Sequence, residues 1–388
     1  MFKTVFGKIV LSNMMESLYH IFNDDFDPGN ALGSHAGTQK VNATYSSITC
    51  MTSKNRAALD TIFVALITKS LNRKIFGNSA VFRPLIHELN RLSEKGIIVN
   101  GHKVYFQLCL LLGDNLGLNS VGGFRESFSR SKFSCGLCLA NLEERGSMAV
   151  ENRSLQRTPE NYSEGVKKNN VTETGIKEEC AFNKVRNFHV VKNTAMDIMH
   201  DLFKGVVKYD LTFIFQHLIR NTRSFTLSQL NDRISFCNFG CDMPNKPPLL
   251  NSNISKKNTF NLSSSECACL LKYLGLLIGN LIPLDDELLE HYVEQHHTLY
   301  LRLTKRKLTT KFHNLTHYPR LMLEFGPLVH LWSIRFESKH RILKCVSNSN
   351  TSRKDVCLTM AKRCQLQLSH NLSVACFFPC RYVSTSVQ

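Results

Sequence analysis

Hydrophobic and polar positions change period along the chain, and the changes mark out its elements. LYHIFND (18–24) reads as a short strand ending in acid, and NATYSSITCM (42–51) is β-rich after the loop GNALGSHAG. NRAALDTIFVALITKSL (55–71) carries apolar residues at helical spacing, and AVFRPLIHELNRLSEKG (80–96) predicts a second helix ending at Gly96. Asn100-Gly101 between IIV and HKVYFQLCLLL predicts a tight hairpin. The second hairpin strand is almost wholly apolar after Tyr105, as a central buried strand should be, and it stops at Gly113-Asp114-Asn115. Residues 141–185 lose periodicity and read as a polar loop, linker or mobile insertion. Order resumes near 187–219, whose second part is helical; a loop at 241–258 then leads to a helical block over 264–303. No internal repeat is visible.

The apolar stretch CACLLKYLGLLIGNLIPL (267–284) is interrupted by Lys272, Asn280 and Pro283, and Ser263-x-x-Glu266 precedes it as a capping box. It reads as a buried core helix, so no membrane partner is expected. Lys3 and Lys8 break any apolar leader, and no signal peptide is expected. The 14 Cys are irregularly scattered through 388 residues, which fits free thiols plus a metal site better than a disulfide framework. A formal net charge of +17 favours a polyanionic partner, nucleic acid first.

Two pairs carry metal chemistry. Cys135-x2-Cys138 lets one turn present two thiolates, and His313-x3-His317 puts two imidazoles on one helix face. Together they make a closed Cys2His2 set of structural type, with His102, His296 and His297 as competing ligands. The 175 residues between Cys138 and His313 suit a large insertion pinched at its base by Zn2+, not a zinc finger. Asp197-x2-His200 reads first as a helix start, with metal or nucleic-acid contact as alternatives. Asp24 and Asp25 at the end of an early strand, Asp114 at the end of a central strand and Glu337 on a late helix stand in the order of an RNase H-like acid set. Such carboxylates bridge two Mg2+ or Mn2+ in phosphodiester transfer. Each acid taken alone reads as a surface charge or, for Asp114, a turn residue.

The blocks DDFDPGNALGSHAGTQK, GDNLGLNSVGGF, FSCGLC, MDIMHDLFKGVVKY and HYPRLMLEFGPLVHLWSIRFESKH resemble the CACTA (En/Spm-type) transposase family, in its animal-type copies. The resemblance covers most of residues 20 to 365. The catalytic subunit of the V(D)J recombinase is a more distant relative. The resemblance implies an α/β fold: an RNase H-like, DDE-type catalytic core with a mostly helical insertion and a structural zinc site. It implies metal-dependent DNA strand cleavage and strand transfer, with transposon ends and target DNA as partners, a homodimer and a nuclear location. The catalytic acids would be Asp24 or Asp25, Asp114 and Glu337; the zinc ligands Cys135, Cys138, His313 and His317; and Asp197 and His200 an accessory pair. Lys339 and Arg341, beside Glu337, are candidate DNA contacts.

The expected organisation is a leader (1–15), the first part of the core (16–140), the linker (141–185), a helical insertion (186–311), the His pair and catalytic helix (312–365) and a tail (366–388). The first catalytic strand lies almost at the start of the sequence, and the last residues do not resemble a natural ending. The sequence therefore reads as a truncated or decaying copy or a fragment of a longer gene product, and a catalytically inactive DNA- or protein-binding derivative is the alternative function.

Overall fold

A computed structural model describes residues 15–29, 40–49, 59–250, 261–278, 281, 293–304, 306–326, 328–349 and 355–373. In chain order the strands are β1 (Met15–Phe26), β2 (Val41–Ile48), β3 (Phe63–Lys69), β4 (Ile97–Val99) and β5 (His102–Leu112). Among the described residues the α-helices of seven residues or more are α1 (Ser70–Glu94), α2 (Asn115–Gly122), α3 (Pro159–Lys168), α4 (Val207–Gln216), α5 (Leu227–Phe236), α6 (Ser264–Ile278), α7 (Val293–Thr304), α8 (Thr310–Thr316), α9 (Tyr318–Phe325), α10 (Ile334–Asn348) and α11 (Val356–Ser373), and a π-helix, Met199–Val206, leads into α4.

The chain divides into two compact units. One holds residues 6–123, 178–194 and 333–388 and contains the sheet. Its strand order is β3-β2-β1-β5-β4: an antiparallel meander of β1 to β3, β5 parallel to β1, and β4 folded back on β5. Asn100 and Gly101 take φ of 50° and 80°, the left-handed pair that a type I′ hairpin needs. Helices cover both faces. Phe82 of α1 packs on Phe182 on one side, and Phe336 of α10 stacks on Phe22 at 4.4 Å on the other.

The second unit, residues 1–5, 124–177 and 195–332, is helical among its described residues. Leu211, Phe215, Leu230, Ile234, Cys267 and Leu270 bring α4, α5 and α6 into one core. The capping box at α6 forms: Glu266 accepts from the Ser263 N–H at 2.6 Å and Ser263 accepts from the Glu266 N–H at 3.2 Å. Among the described residues no helix is long and apolar enough to cross a membrane.

Three expectations are corrected. Residues 63–69 form strand β3, not part of a helix: β-branched Val64, Ile67 and Thr68 favour an extended chain, and β2 supplies the ladder that local spacing cannot reveal. The preceding 51–58 lie outside the described residues. The stretch 141–185 is not an unstructured linker. It carries α3 and the one-turn helices Leu142–Arg145 and Val171–Thr174, with capping boxes at Asn141 and Thr158. Buried Arg157 braces it by donating to the Cys135 and Thr174 carbonyls at 2.9 and 3.0 Å. The expected tail begins inside α11, which runs to Ser373.

Candidate metal centre and carboxylate sites

The Cys135-x2-Cys138 turn is pinned by its neighbours. Cys138 bridges Gln156, the Leu139 N–H donates to the Leu155 carbonyl at 2.7 Å, and the Arg157 N–H donates to that of Leu137 at 2.9 Å. The Leu137 N–H points at the Cys135 sulfur at 3.4 Å. On α8 and at its end, one helical turn separates His313 from His317, and both are fully buried. The Cys135 Sγ lies 3.5 Å from His317 Nε2, and the Cys138 Sγ lies 3.3 Å from His313 Nε2. All four ligand atoms fall within 4.8 Å of one another. A tetrahedral ion with Zn–S and Zn–N bonds of about 2.3 and 2.0 Å sets S···N edges near ~3.5 Å, so the donors fit a structural metal such as zinc.

The electrostatics agree with that fit. The Cys138 thiol bonds to Cys135 and holds it well below the ordinary thiol value; the same bond, with burial, drives Cys138 up. A dication would replace that shared proton and take both sulfurs as thiolates. Burial lowers His313. Burial also opposes charge on His317, but Cys135 and Glu151 outweigh it and lift His317 to about 9. Glu151 accepts from His317 Nδ1 at 2.7 Å and from Arg320 at 2.9 to 3.1 Å. Burial disfavours the Glu151 carboxylate, yet His317 and Arg320 together hold it down at about 2.

Asp197 sits where a helix-start residue should. Its Oδ1 accepts the Met199 N–H at 3.1 Å, and its Oδ2 holds His200 Nδ1 at 2.5 Å. His200 Nε2 in turn faces Lys204 Nζ at 3.2 Å.

The acids lie in the sheet unit. Asp24 and Asp114 each stand two residues past the parallel register pair Phe22–Leu112, at the ends of adjacent strands. Asp114 caps α2 by accepting the Gly117 N–H at 2.6 Å. Strand alternation sends Phe22, Asp24 and Phe26 to the α10 face, where His340 stacks on Phe26 and its Nδ1 lies 3.8 Å from Asp24. Asn23 and Asp25 point the other way. Asp25 accepts from Asn42 at 2.7 Å and Ser70 at 3.0 Å and pairs with Arg73 at 3.7 Å.

Glu337 is half-buried on the first turn of α10. Lys339 beside it donates to the Leu59 carbonyl at 2.9 Å, and burial lowers its pKa; Arg341 is exposed. Among the described residues the Cys2His2 group is the one cluster of three or more potential ligands at metal spacing, and Asp24, Asp114 and Glu337 do not form another.

The sequence reading missed Glu151, Arg320, Arg157 and His340. Arg320 and His340 each follow a flagged residue by three, one helical turn, and that spacing was a usable signal. Nothing local marks Glu151, which lies in the polar stretch.

No protein-family model matches this chain, and no curated protein matches it at a significant level.

Proposed function

We propose that the chain is a DDE-type DNA transposase, or a protein derived from one, that cleaves DNA and joins the freed 3′ hydroxyl to a target. The observation that carries this reading is the placement of Asp24 and Asp114 at the same end of adjacent parallel strands, beside the face on which the Glu337 helix packs. Asp24 and Asp114 close adjacent parallel strands, and α10, which bears Glu337, packs on the Asp24 face through Phe336 and His340. A meander followed by a strand parallel to its first member also suits an RNase H-like core. Asp24 is a better candidate than Asp25, whose oxygen is committed to Asn42, Ser70 and Arg73.

Two Mg2+ or Mn2+ ions, when bound by such acids, activate the attacking oxygen and stabilise the leaving one. The three carboxylates are not gathered at metal spacing here. The +17 charge supports a DNA partner with salt-sensitive affinity, and a DNA partner supports a nuclear site of action.

The test is Mn2+-dependent nicking of supercoiled plasmid and transfer of 3′-hydroxyl oligonucleotides. Asp24→Asn, Asp114→Asn and Glu337→Gln should each abolish both, and Asp25→Asn should retain them. Activity that survives Glu337→Gln sinks the mechanism. The separation of the acids favours a second reading, a catalytically silent DNA-binding derivative. Salt-dependent DNA binding with no nicking in any divalent metal would select it.

A further inference from the structure

The two His of the metal centre differ in what lies behind them. His317 turns Nε2 to the Cys135 sulfur and Nδ1 to Glu151, 2.7 Å away. A carboxylate at Nδ1 requires a proton on that nitrogen, which leaves the Nε2 lone pair free for the centre. Glu151 is itself fixed by Arg320, whose Nε and Nη2 reach it at 2.9 to 3.1 Å while its Nη1 reaches Glu324 at 3.4 Å. His313 turns Nε2 to the Cys138 sulfur at 3.3 Å, but its Nδ1 is buried and has no hydrogen-bond partner among the described residues. One imidazole is oriented and made more basic by a clamped carboxylate; the other carries a desolvated, unsatisfied nitrogen.

We propose that Glu151 and Arg320 are the positioning pair of this centre, making His317 its anchored ligand and His313 its labile one. The proposal rests on the four residues holding a metal. It adds two residues the ligand spacing does not contain, and it gives the polar stretch around Glu151 a role in binding. Arg320 holds the carboxylate that meets His317 through a forked contact, which Lys could not reproduce.

The experiment is zinc competition against a chromophoric chelator with the full chain. Glu151→Gln should weaken zinc by about 10- to 100-fold. Arg320→Gln should weaken it in the same direction by less. Glu324→Gln, which touches Arg320 but not His317, should stay within about twofold of the parent. His313→Ala should cost less affinity than His317→Ala. Two-bond 1H–15N correlation on the zinc-loaded parent should show His317 bound through Nε2 with its proton on Nδ1. This spectrum decides the matter if Glu151→Gln does not fold.

Parent-like affinity in Glu151→Gln, a metal on His317 Nδ1, or a greater loss from His313→Ala overturns the positioning pair while leaving the metal centre intact. Failure of the parent chain to bind zinc overturns both.

Discussion

Acidification should loosen the sheet unit through one residue, His340. It is 5% exposed, packed between the rings of Phe26 and Tyr45, and its Nε2 has no hydrogen-bond partner among the described residues. Burial, with the charge of Lys344, drives its pKa from 6.5 down to about 3, although the Asp24 carboxylate stands 3.8 Å away. The folded state therefore resists the proton that the unfolded chain accepts. Stability from this group is intact above about pH 6.5 and is lost progressively as pH falls from there toward 3. Between pH 7.5 and 5.5 the loss is about 1.4 kcal/mol, one decade of protonation of the unfolded chain, and full development would be on the order of 5 kcal/mol. Urea unfolding at both pH values, for the parent and His340→Phe, isolates this contribution because every other titrating group is common to the two. The parent should lose about 1.4 kcal/mol more than the variant. Equal losses would mean that His340 is solvated or held charged by Asp24, and the reasoning would fall.

Other expectations are simpler to state. Chelation, or Cys135→Ser, should lower the melting temperature, and zinc at a thousandfold above its Kd should restore about 4 kcal/mol to the chelated parent but not to the variant. Gly123→Ala should cost well over 2 kcal/mol, because φ is +76° and a Cβ would meet the Glu178 carbonyl at 2.0 Å. Gly240→Ala shares a positive φ of +56° but meets nothing within 4 Å among the described residues, so about 1 kcal/mol is expected there, and urea titration of the two separates clash from backbone strain.

How legible the protein was depends on how far apart the decisive residues lie. The hairpin at Asn100-Gly101 and the cap at Ser263 are written in adjacent residues, where turn and capping chemistry act locally. Strand β3 was misread because five apolar residues in seven satisfy a helical spacing as well as an extended one, and only β2 decides between them. The polar stretch 141–185 folds for a reason no local pattern holds: Arg157 and Glu151 find their partners at Cys135, Thr174, His317 and Arg320. The Cys and His pairs were readable because ligand geometry fixes spacing within each pair. That they meet across 175 residues was the inference the structure bears out.

That distance has a consequence in time. During synthesis at about 5 to 20 residues per second, Cys138 is added to the chain roughly 9 to 35 seconds before His313. Through that interval Cys135 and Cys138 lack the two imidazoles that complete the ligand set and, as thiols, can bind other metals or oxidise. The supply of zinc and of reducing power during translation should then govern the yield of folded protein more than the stability of the finished chain does.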